Sequence, residues 1–295
     1  MSLEESRLQK IRSIELKSRK LTQELFSGVY RAAFKGNGYE FVSVRPYEPG
    51  DDVRQIDWNT TARTGLPYVK QFHEERELTT LFILDTSASM MLGSVGKTKI
   101  DVIIELCVLL ATSAIHNNDR AGLLLLSQSK KRYVEPRKGR PHLWKLIQEL
   151  LAIQPADAPN FGESLRIASR LLKRRSIIFI ISDFLMPVDS YATELAVLSN
   201  HHDVIGILVS DPLERKWPDV GLVRIYDLET GFPVYFDTSD QSWQRRFNAQ
   251  SAHFYEIVKA AFARCQSDFL YLDLASDYMN SLVSFFQKRA QHISS

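Results

Sequence analysis

The 295-residue chain contains only two cysteines, Cys107 and Cys265. Two cysteines this far apart cannot build a disulfide framework or a cysteine metal cluster, and their scarcity favours a reducing compartment. The amino terminus, MSLEESRLQKIRS, alternates charged residues and lacks the apolar core of a signal peptide. The sequence therefore predicts a cytoplasmic protein.

Long apolar runs and an excess of one charge are also absent. The longest apolar helical stretch, residues 102–115, is interrupted by Glu105 and is shorter than the roughly 20 residues that cross a bilayer. Lys and Arg total 37 against 35 Asp and Glu, which gives a formal net charge of +2. The basic clusters at 130–132, 137–140 and 173–175 lack interleaved aromatic residues. We expect neither a membrane span nor a nucleic-acid partner.

Familiar catalytic signatures are missing as well. The sequence contains no Walker A loop, no Gly-x-Ser-x-Gly elbow and no His-Glu-x-x-His zinc motif, although HEER at His73 begins like the last of these. The pair His201 and His202 has no nearby cysteine or spaced carboxylates that would complete a zinc site. We therefore expect a protein that binds a partner and is not an enzyme.

The composition that is present, 44% hydrophobic and 24% charged residues, is that of an ordinary globular protein. Apolar residues recur at helical spacing over residues 3–26, which predicts an amphipathic helix. Glycine and proline then interrupt short alternating runs up to residue 75, which indicates a small β-rich subdomain. We expect an accessory segment over residues 1–75 and an α/β domain over residues 76–295.

Strands and helices alternate after residue 76, and four of the strands are continuous apolar runs: LFIL, LLLL, IIFII and VIGILV. Continuous apolar runs are typical of parallel strands that are buried on both faces. The sequence thus predicts an α/β fold with a doubly wound, mostly parallel sheet of the Rossmann type. Ligands bind such sheets beyond the carboxyl ends of the strands, where the strand order reverses.

Oxygen-bearing side chains follow two of these strands. LFILDTSASMM places Asp85, Ser87 and Ser89 at alternate positions after the first strand, and IIFIISDF ends in Ser182 and Asp183. Adjacent strand ends can bring these side chains to one ion. Mg²⁺ prefers oxygen ligands and keeps several waters, so these carboxylates and hydroxyls form a partial cage with open positions. An alternative is that the aspartates cap the following helices and the serines satisfy backbone amides.

The segment YEPGDDVRQIDW, residues 47–58, mixes charges of both signs after a Pro-Gly turn. Arg45 and Arg63 lie near it in the sequence, and guanidinium groups pair well with carboxylates. We interpret this segment as an internal ion-pair network, with a partner surface as the alternative.

Two resemblances rest on these motifs. DTSAS with the later SD is similar to the metal-ion-dependent adhesion site of von Willebrand factor A domains. The segment GNGYEFVSVRPYEPGDDVRQIDWNTTAR, residues 36–63, resembles the signature of the bacterial family known as domain of unknown function 58. So do LETG at 228–231 and SFFQKR at 284–289. The family resemblance extends over nearly the whole chain.

The family resemblance implies a von Willebrand factor A-like fold and a cytoplasmic bacterial protein. It also implies work with a MoxR-type AAA+ ATPase in chaperone-like assembly or maturation. The adhesion-site resemblance implies Mg²⁺ or Mn²⁺ bound by Asp85, Ser87, Ser89 and Asp183, with an acidic residue of a protein partner filling an open position. The expected function is therefore metal-dependent docking of a protein partner.

One position departs from the adhesion-site pattern. Von Willebrand factor A domains place a Thr-Asp pair on another loop, where this sequence has Pro159 and Asn160. Pro159 has no side-chain oxygen. Either the Asn160 amide or water replaces that ligand, or the ion binds weakly, or the site is vestigial. A phosphatase-like Mg²⁺-dependent hydrolase is a further alternative, although Ser87 stands where that chemistry usually needs a second carboxylate.

Overall fold

The computed structural model describes residues 27–35, 43–53, 56–71, 77–126, 132–154, 160–226 and 232–293. The helices are α1 (Ser27–Lys35), α2 (Trp58–Thr64), α3 (Lys99–His116), α4 (Arg140–Leu151), α5 (Phe161–Leu171), α6 (Ala192–His201), α7 (Gln241–Arg264) and α8 (Tyr278–Ile293). The strands are β1 (Ser43–Pro46), β2 (Tyr68–Gln71), β3 (Thr79–Asp85), β4 (Arg120–Leu126), β5 (Arg132–Arg137), β6 (Ile177–Ser182), β7 (Asp203–Ser210), β8 (Leu222–Tyr226), β9 (Pro233–Asp237) and β10 (Asp268–Asp273). None of the described helices combines the length and apolarity that crossing a membrane requires.

Six of the described strands form the central sheet, in the order β10-β7-β6-β3-β4-β5. Neighbouring strands are parallel except β4 and β5, which are antiparallel. The chain passes from β3 to β4 on one side and later returns to β6 on the other side, so the strand order reverses at β3. The predicted doubly wound, mostly parallel sheet is confirmed. The ends of β3 and β6 flank its switch point, where ligands bind in such folds.

Helices cover both faces of the sheet. In β3, Phe82 and Leu84 belong to the core on one face, whereas Leu81 and Ile83 belong to the core on the other. Helices α1, α3, α4 and α8 contribute to the first core, and α5, α6 and α7 contribute to the second. Burial on both faces explains why this strand is a continuous apolar run.

Helix α3 follows the candidate site and is buried along most of its length. It begins at Lys99 because Thr98 and Asp101 form a capping box, in which each side chain accepts the backbone amide of the other residue. This cap fixes Lys99 as the first helical residue, and its side chain is fully buried. The capping box therefore fixes the position of the buried Lys99 ammonium at the start of α3.

Helix α1 lies in a segment for which the sequence indicates β-structure, and residues 27–35 differ from that expectation. Tyr30 and Phe34 are one helical turn apart and pack against the α/β body. The Phe34 ring meets Phe179 and Phe286 edge-on, at centroid distances of 6.0 and 5.4 Å. This aromatic stripe requires a helix, so α1 belongs to the core of the α/β domain. The amphipathic helix predicted over 3–26 lies outside the described residues.

The rest of the described accessory segment contains a two-stranded antiparallel sheet of β1 and β2. Helix α2 lies between these strands in the sequence; it is capped by the Asp57 carboxylate and ends at Gly65, whose φ of 73° is left-handed. Arg45 donates two hydrogen bonds to Asp51, at 2.6 and 2.7 Å. The segment therefore holds an internal ion pair of the kind that its charge pattern indicates.

Strands β5 and β9 are not predicted by the apolar pattern. β5 is an edge strand with the sequence RYVEPR, and charged residues and proline are typical of exposed edges. β9 pairs with β8 in an antiparallel hairpin outside the central sheet. The apolar criterion misses both strands because their side chains are largely exposed.

Candidate functional site

Asp85 ends β3, and its carboxylate is held between two strand ends. Oδ1 accepts the amide of Ser87 at 2.9 Å, and Oδ2 accepts the hydroxyl of Ser182 at 2.7 Å. Ser182 is the last residue of β6, which neighbours β3 in the sheet. Asp85 is only 1% exposed. The sheet therefore fixes a buried carboxylate at its switch point.

Ser87, Ser89 and Asp183 form a hydrogen-bonded chain next to Asp85. The hydroxyls of Ser87 and Ser89 are 3.0 Å apart, and Ser89 Oγ donates to Asp183 Oδ2 at 2.7 Å. Ser87 and Asp183 are buried, whereas Ser89 is half-buried. The structure thus brings together four residues that the sequence assigns to the candidate metal site, although 94 positions separate Ser89 from Asp183.

Aromatic packing holds the backbone turn that follows Asp183. Phe184 has a left-handed φ of 55°, which is uncommon for a bulky residue. Its ring is buried against Phe161, Tyr191 and Phe262, at centroid distances of 5.7, 6.1 and 5.4 Å. This packing stabilises the strained backbone of Phe184. It therefore also fixes the turn that places Asp183 directly after β6.

Lys99 is a member of the cluster that the sequence analysis does not identify. Its ammonium donates to Asp183 Oδ2 at 2.7 Å and also to a carboxylate oxygen of Glu214. Its exposure is 0%. A lysine at the first position of a helix faces the positive end of the helix dipole. A lysine at this unfavourable position needs negatively charged partners, and the sequence could have predicted carboxylate partners for Lys99 on this basis.

A third strand end completes the cluster. β7 is followed by a 3₁₀ turn in which the Glu214 carboxylate accepts the amide of Asp211 at 2.9 Å. Asp211 in turn accepts the amide and the hydroxyl of Ser94, both at 2.7 Å. The loop before α3 is therefore tied to the end of β7. VIGILVSD ends in aspartate as LFILD and IIFIISD do, so the strand-end pattern could have identified Asp211 as well.

The buried charges of the cluster shift one another's pKa values. Burial and then the negative charge of Asp183 raise the pKa of Asp85. Burial also raises the pKa of Glu214, although Lys99 opposes this effect. Burial lowers the pKa of Lys99, but Asp183 and Glu214 outweigh burial and the net pKa is raised. The described cluster thus holds three carboxyl groups, those of Asp85, Asp183 and Glu214, and one ammonium group, that of Lys99.

The cluster offers carboxylate and hydroxyl oxygens, which are the ligand atoms that a hard cation such as Mg²⁺ prefers. Asp85, Ser87, Ser89 and Asp183 offer two carboxylates and two hydroxyls in one connected network. Within the described parts of the chain, no three His, Cys, Asp or Glu side chains are grouped so as to hold a metal ion. An ion bound here would therefore depend on the serine hydroxyls and on water. Lys99 already contacts one of the carboxylate oxygens.

Asn160, the fifth candidate ligand, caps helix α5. Its side-chain oxygen accepts the amide of Glu163 at 3.0 Å, and its backbone carbonyl accepts the Ser164 hydroxyl at 2.8 Å. None of the contacts described for Asn160 reaches Asp85 or Asp183. Pro159 lies outside the described residues.

The family described as "Protein of unknown function DUF58" matches residues 43–256. The chain belongs to this family. The region matched to DUF58 runs from β1 into α7 and includes the strand ends that carry Asp85, Asp183 and Glu214.

Relatives occur in mycobacteria. An uncharacterized protein of Mycobacterium tuberculosis is 29% identical over 282 residues, which cover 95% of this DUF58 chain and 88% of the relative. An uncharacterized protein of Mycobacterium avium is 31% identical over 117 residues, which cover 40% of this chain and 68% of the relative.

Similar solved structures include the conserved hypothetical protein BatB from Bacteroides thetaiotaomicron, with a TM-score of 0.47 and 12% identity over 72% of this chain and 99% of that chain. A von Willebrand factor type A protein from Catenulispora acidiphila has a TM-score of 0.39 and 11% identity over 77% of this chain and 44% of that chain. The described residues of this DUF58 chain form the doubly wound sheet that the sequence predicts, with polar residues at the ends of β3 and β6.

Proposed function

We propose that this DUF58 protein is a protein-interaction module that docks an acidic side chain of a partner on Mg²⁺ or Mn²⁺. The observation that carries the proposal is the convergence of Asp85, Ser87, Ser89 and Asp183 at the switch point of the sheet. When bound, the ion would supply an electrophilic docking point, because hydroxyl ligands leave more of its charge uncompensated than carboxylates do. Open coordination positions would remain for the partner's carboxylate.

The surroundings of the cluster support a docking role. Ser89 is half-buried, so the cluster is not sealed inside the protein. Two apolar side chains are exposed in the loops that carry the cluster: Val95 is 44% exposed and Leu185 is 56% exposed. Apolar side chains contribute to the buried core of protein interfaces. These side chains would bury apolar surface around the docked carboxylate.

The proposed partner is a MoxR-type AAA+ ATPase, and the proposed setting is chaperone-like assembly or maturation in the cytoplasm. The family resemblance supports the partner class. The two free cysteines, Cys107 and Cys265, are consistent with a reducing compartment.

We propose that the protein binds a partner and does not hydrolyse a phosphate ester. An aspartyl-phosphate mechanism that uses Asp85 needs a general acid close to it. Two residues further on the chain has Ser87, whose hydroxyl contacts Ser89 at 3.0 Å. Ser87, at the position where the phosphatase mechanism would need a general acid, is therefore a potential ion ligand instead.

Calorimetric titration with Mg²⁺ and with Mn²⁺ tests the proposed ion site. We expect the wild-type chain to bind one ion, and Asp85→Ala to abolish binding because a carboxylate ligand is lost. Asp189→Ala is the matched control, since Asp189 is an exposed aspartate in the turn after β6; it should bind as the wild type does. Pro159→Thr should bind more tightly because it supplies the missing hydroxyl. Equal binding by Asp85→Ala and the wild type would contradict the proposed site, provided circular dichroism shows that both are folded.

A further inference from the structure

We propose that Lys99 is a built-in cation that competes with the divalent ion for Asp183, so that the ion binds only as the ammonium gives up that carboxylate. This inference rests on the proposed function and deepens it, because it assigns a regulator to the same site. Its basis is the position of one buried ammonium group, and it does not depend on any change in protonation.

The competition follows from a shared oxygen atom. Asp183 Oδ2 accepts both the Ser89 hydroxyl and the Lys99 ammonium, each at 2.7 Å. Ser89 is one of the proposed ion ligands, so an ion that binds between Ser89 and Asp183 meets the ammonium at the same oxygen. Like charges at such short range repel strongly where little water can screen them. The ion and the Lys99–Asp183 contact therefore exclude each other.

Glu214 is a second partner of Lys99 and can remain paired with its ammonium when the ion binds. The ammonium contacts Glu214, whose side chain is 18% exposed while that of Lys99 is 0% exposed. Glu214 is itself held in place, since its carboxylate accepts the Asp211 amide and its backbone carbonyl accepts the Ser251 hydroxyl at 2.8 Å. The ammonium can thus release Asp183 and stay paired with Glu214, which avoids an unpaired buried charge.

The exchange would connect ion binding to two surface loops. In the structure described here, Lys99 joins the end of β6 to the end of β7 through Asp183 and Glu214. Asp211, which contacts Glu214, also holds Ser94 in the loop before α3. Release of Asp183 by Lys99 therefore changes the contacts that tie together the loops around the docking point.

Two substitutions of Lys99 separate competition from a purely structural role. Lys99→Met removes the charge and keeps an unbranched side chain of similar length, and we expect it to tighten Mg²⁺ binding by about tenfold or more, because like charges no longer meet at the site. Lys99→Arg keeps a positive charge and should bind Mg²⁺ as weakly as the wild type does. The double variant Lys99→Met/Asp183→Asn should lose the gain, since the contested carboxylate is gone.

Calorimetry with Mg²⁺ and Mn²⁺ measures these affinities. The midpoint of thermal unfolding with and without about 10 mM Mg²⁺ provides a second readout, since this concentration exceeds the roughly 10⁻⁴–10⁻³ M dissociation constants of weak Ca²⁺ sites. The proposal predicts a larger Mg²⁺-induced rise for Lys99→Met than for the wild type or Lys99→Arg. Binding by Lys99→Met that is no tighter than wild-type binding would overturn the competition and leave the ion site intact. Absence of ion binding in every variant, Lys99→Met included, would instead overturn the proposed function and the competition with it.

Discussion

Replacing Lys99 with methionine in metal-free buffer should lower the free energy of unfolding by about 3–5 kcal/mol, the range measured when one partner of a buried ion pair is removed. The reason is that Asp183 and Glu214 lose the ammonium that pairs with them, while Asp183 itself stays buried. Urea denaturation in the presence of a chelator measures the change.

Lys97→Met is the matched control for this substitution. Lys97 lies two residues away and contacts Glu105 at 2.9 Å, but its side chain is 44% exposed. Exposed ion pairs contribute about 0–1 kcal/mol, so the control should change stability little. If Lys99→Met unfolds at the same urea concentration as Lys97→Met, the buried ammonium does not hold the cluster together in the way described here.

Phe184→Ala should destabilise the protein by about 3–5 kcal/mol, the usual cost of removing a buried aromatic ring. The ring is 0% exposed and packs against Phe161, Tyr191 and Phe262. Its loss also removes the packing that holds the turn after Asp183, so ion binding should weaken together with stability. Denaturant unfolding and calorimetry on the same preparation measure both effects.

Leu185→Ala is the control for the Phe184 substitution, because Leu185 is the next residue and is 56% exposed. Substitutions at such surface positions usually change stability by about 0.5 kcal/mol or less. A Phe184→Ala variant that is destabilised but binds Mg²⁺ as tightly as Leu185→Ala does would show that the aromatic packing supports the fold without positioning Asp183.

The sequence predicts the inner strands of the sheet well because these strands are buried on both faces. Runs such as LFIL and IIFII have no polar residue that could face solvent, and this alone indicates parallel strands under two layers of helices. The same reasoning fails for β9, which is largely exposed. Helix α1 is missed for another reason, because the helical stripe of Tyr30 and Phe34 is short and lies among Gly28, Gly36 and Gly38.

The candidate site is predicted in part for a related reason. Asp85 and Asp183 can be found because each ends an apolar strand, and parallel strands align their carboxyl ends. Lys99 cannot be paired with its partners by spacing, since 84 and 115 positions separate it from Asp183 and Glu214. Only the order of the strands in the sheet shows that the ends of β6 and β7 are adjacent to each other and face the start of α3.

Lys99 would weaken the proposed ion site independently of the missing threonine. The sequence offers weak ion binding as one consequence of Pro159, which lacks a side-chain oxygen. The structure adds a buried ammonium that contacts a proposed ligand. Each feature would reduce the affinity of the proposed site for a divalent ion, and a partner's carboxylate would oppose both by adding a ligand and negative charge. The ion and the partner should therefore bind cooperatively.

Binding of a MoxR-type AAA+ ATPase from the same organism, measured by biolayer interferometry in Mg²⁺ and in chelator, tests the proposed metal-dependent docking. We expect the wild type to bind in Mg²⁺ and binding to be lost both in chelator and in Asp85→Asn, with Asp189→Ala unaffected. Equally strong binding in chelator and in Asp85→Asn would refute metal-dependent docking, because the partner would then recognise a surface other than an ion held by Asp85, Ser87, Ser89 and Asp183.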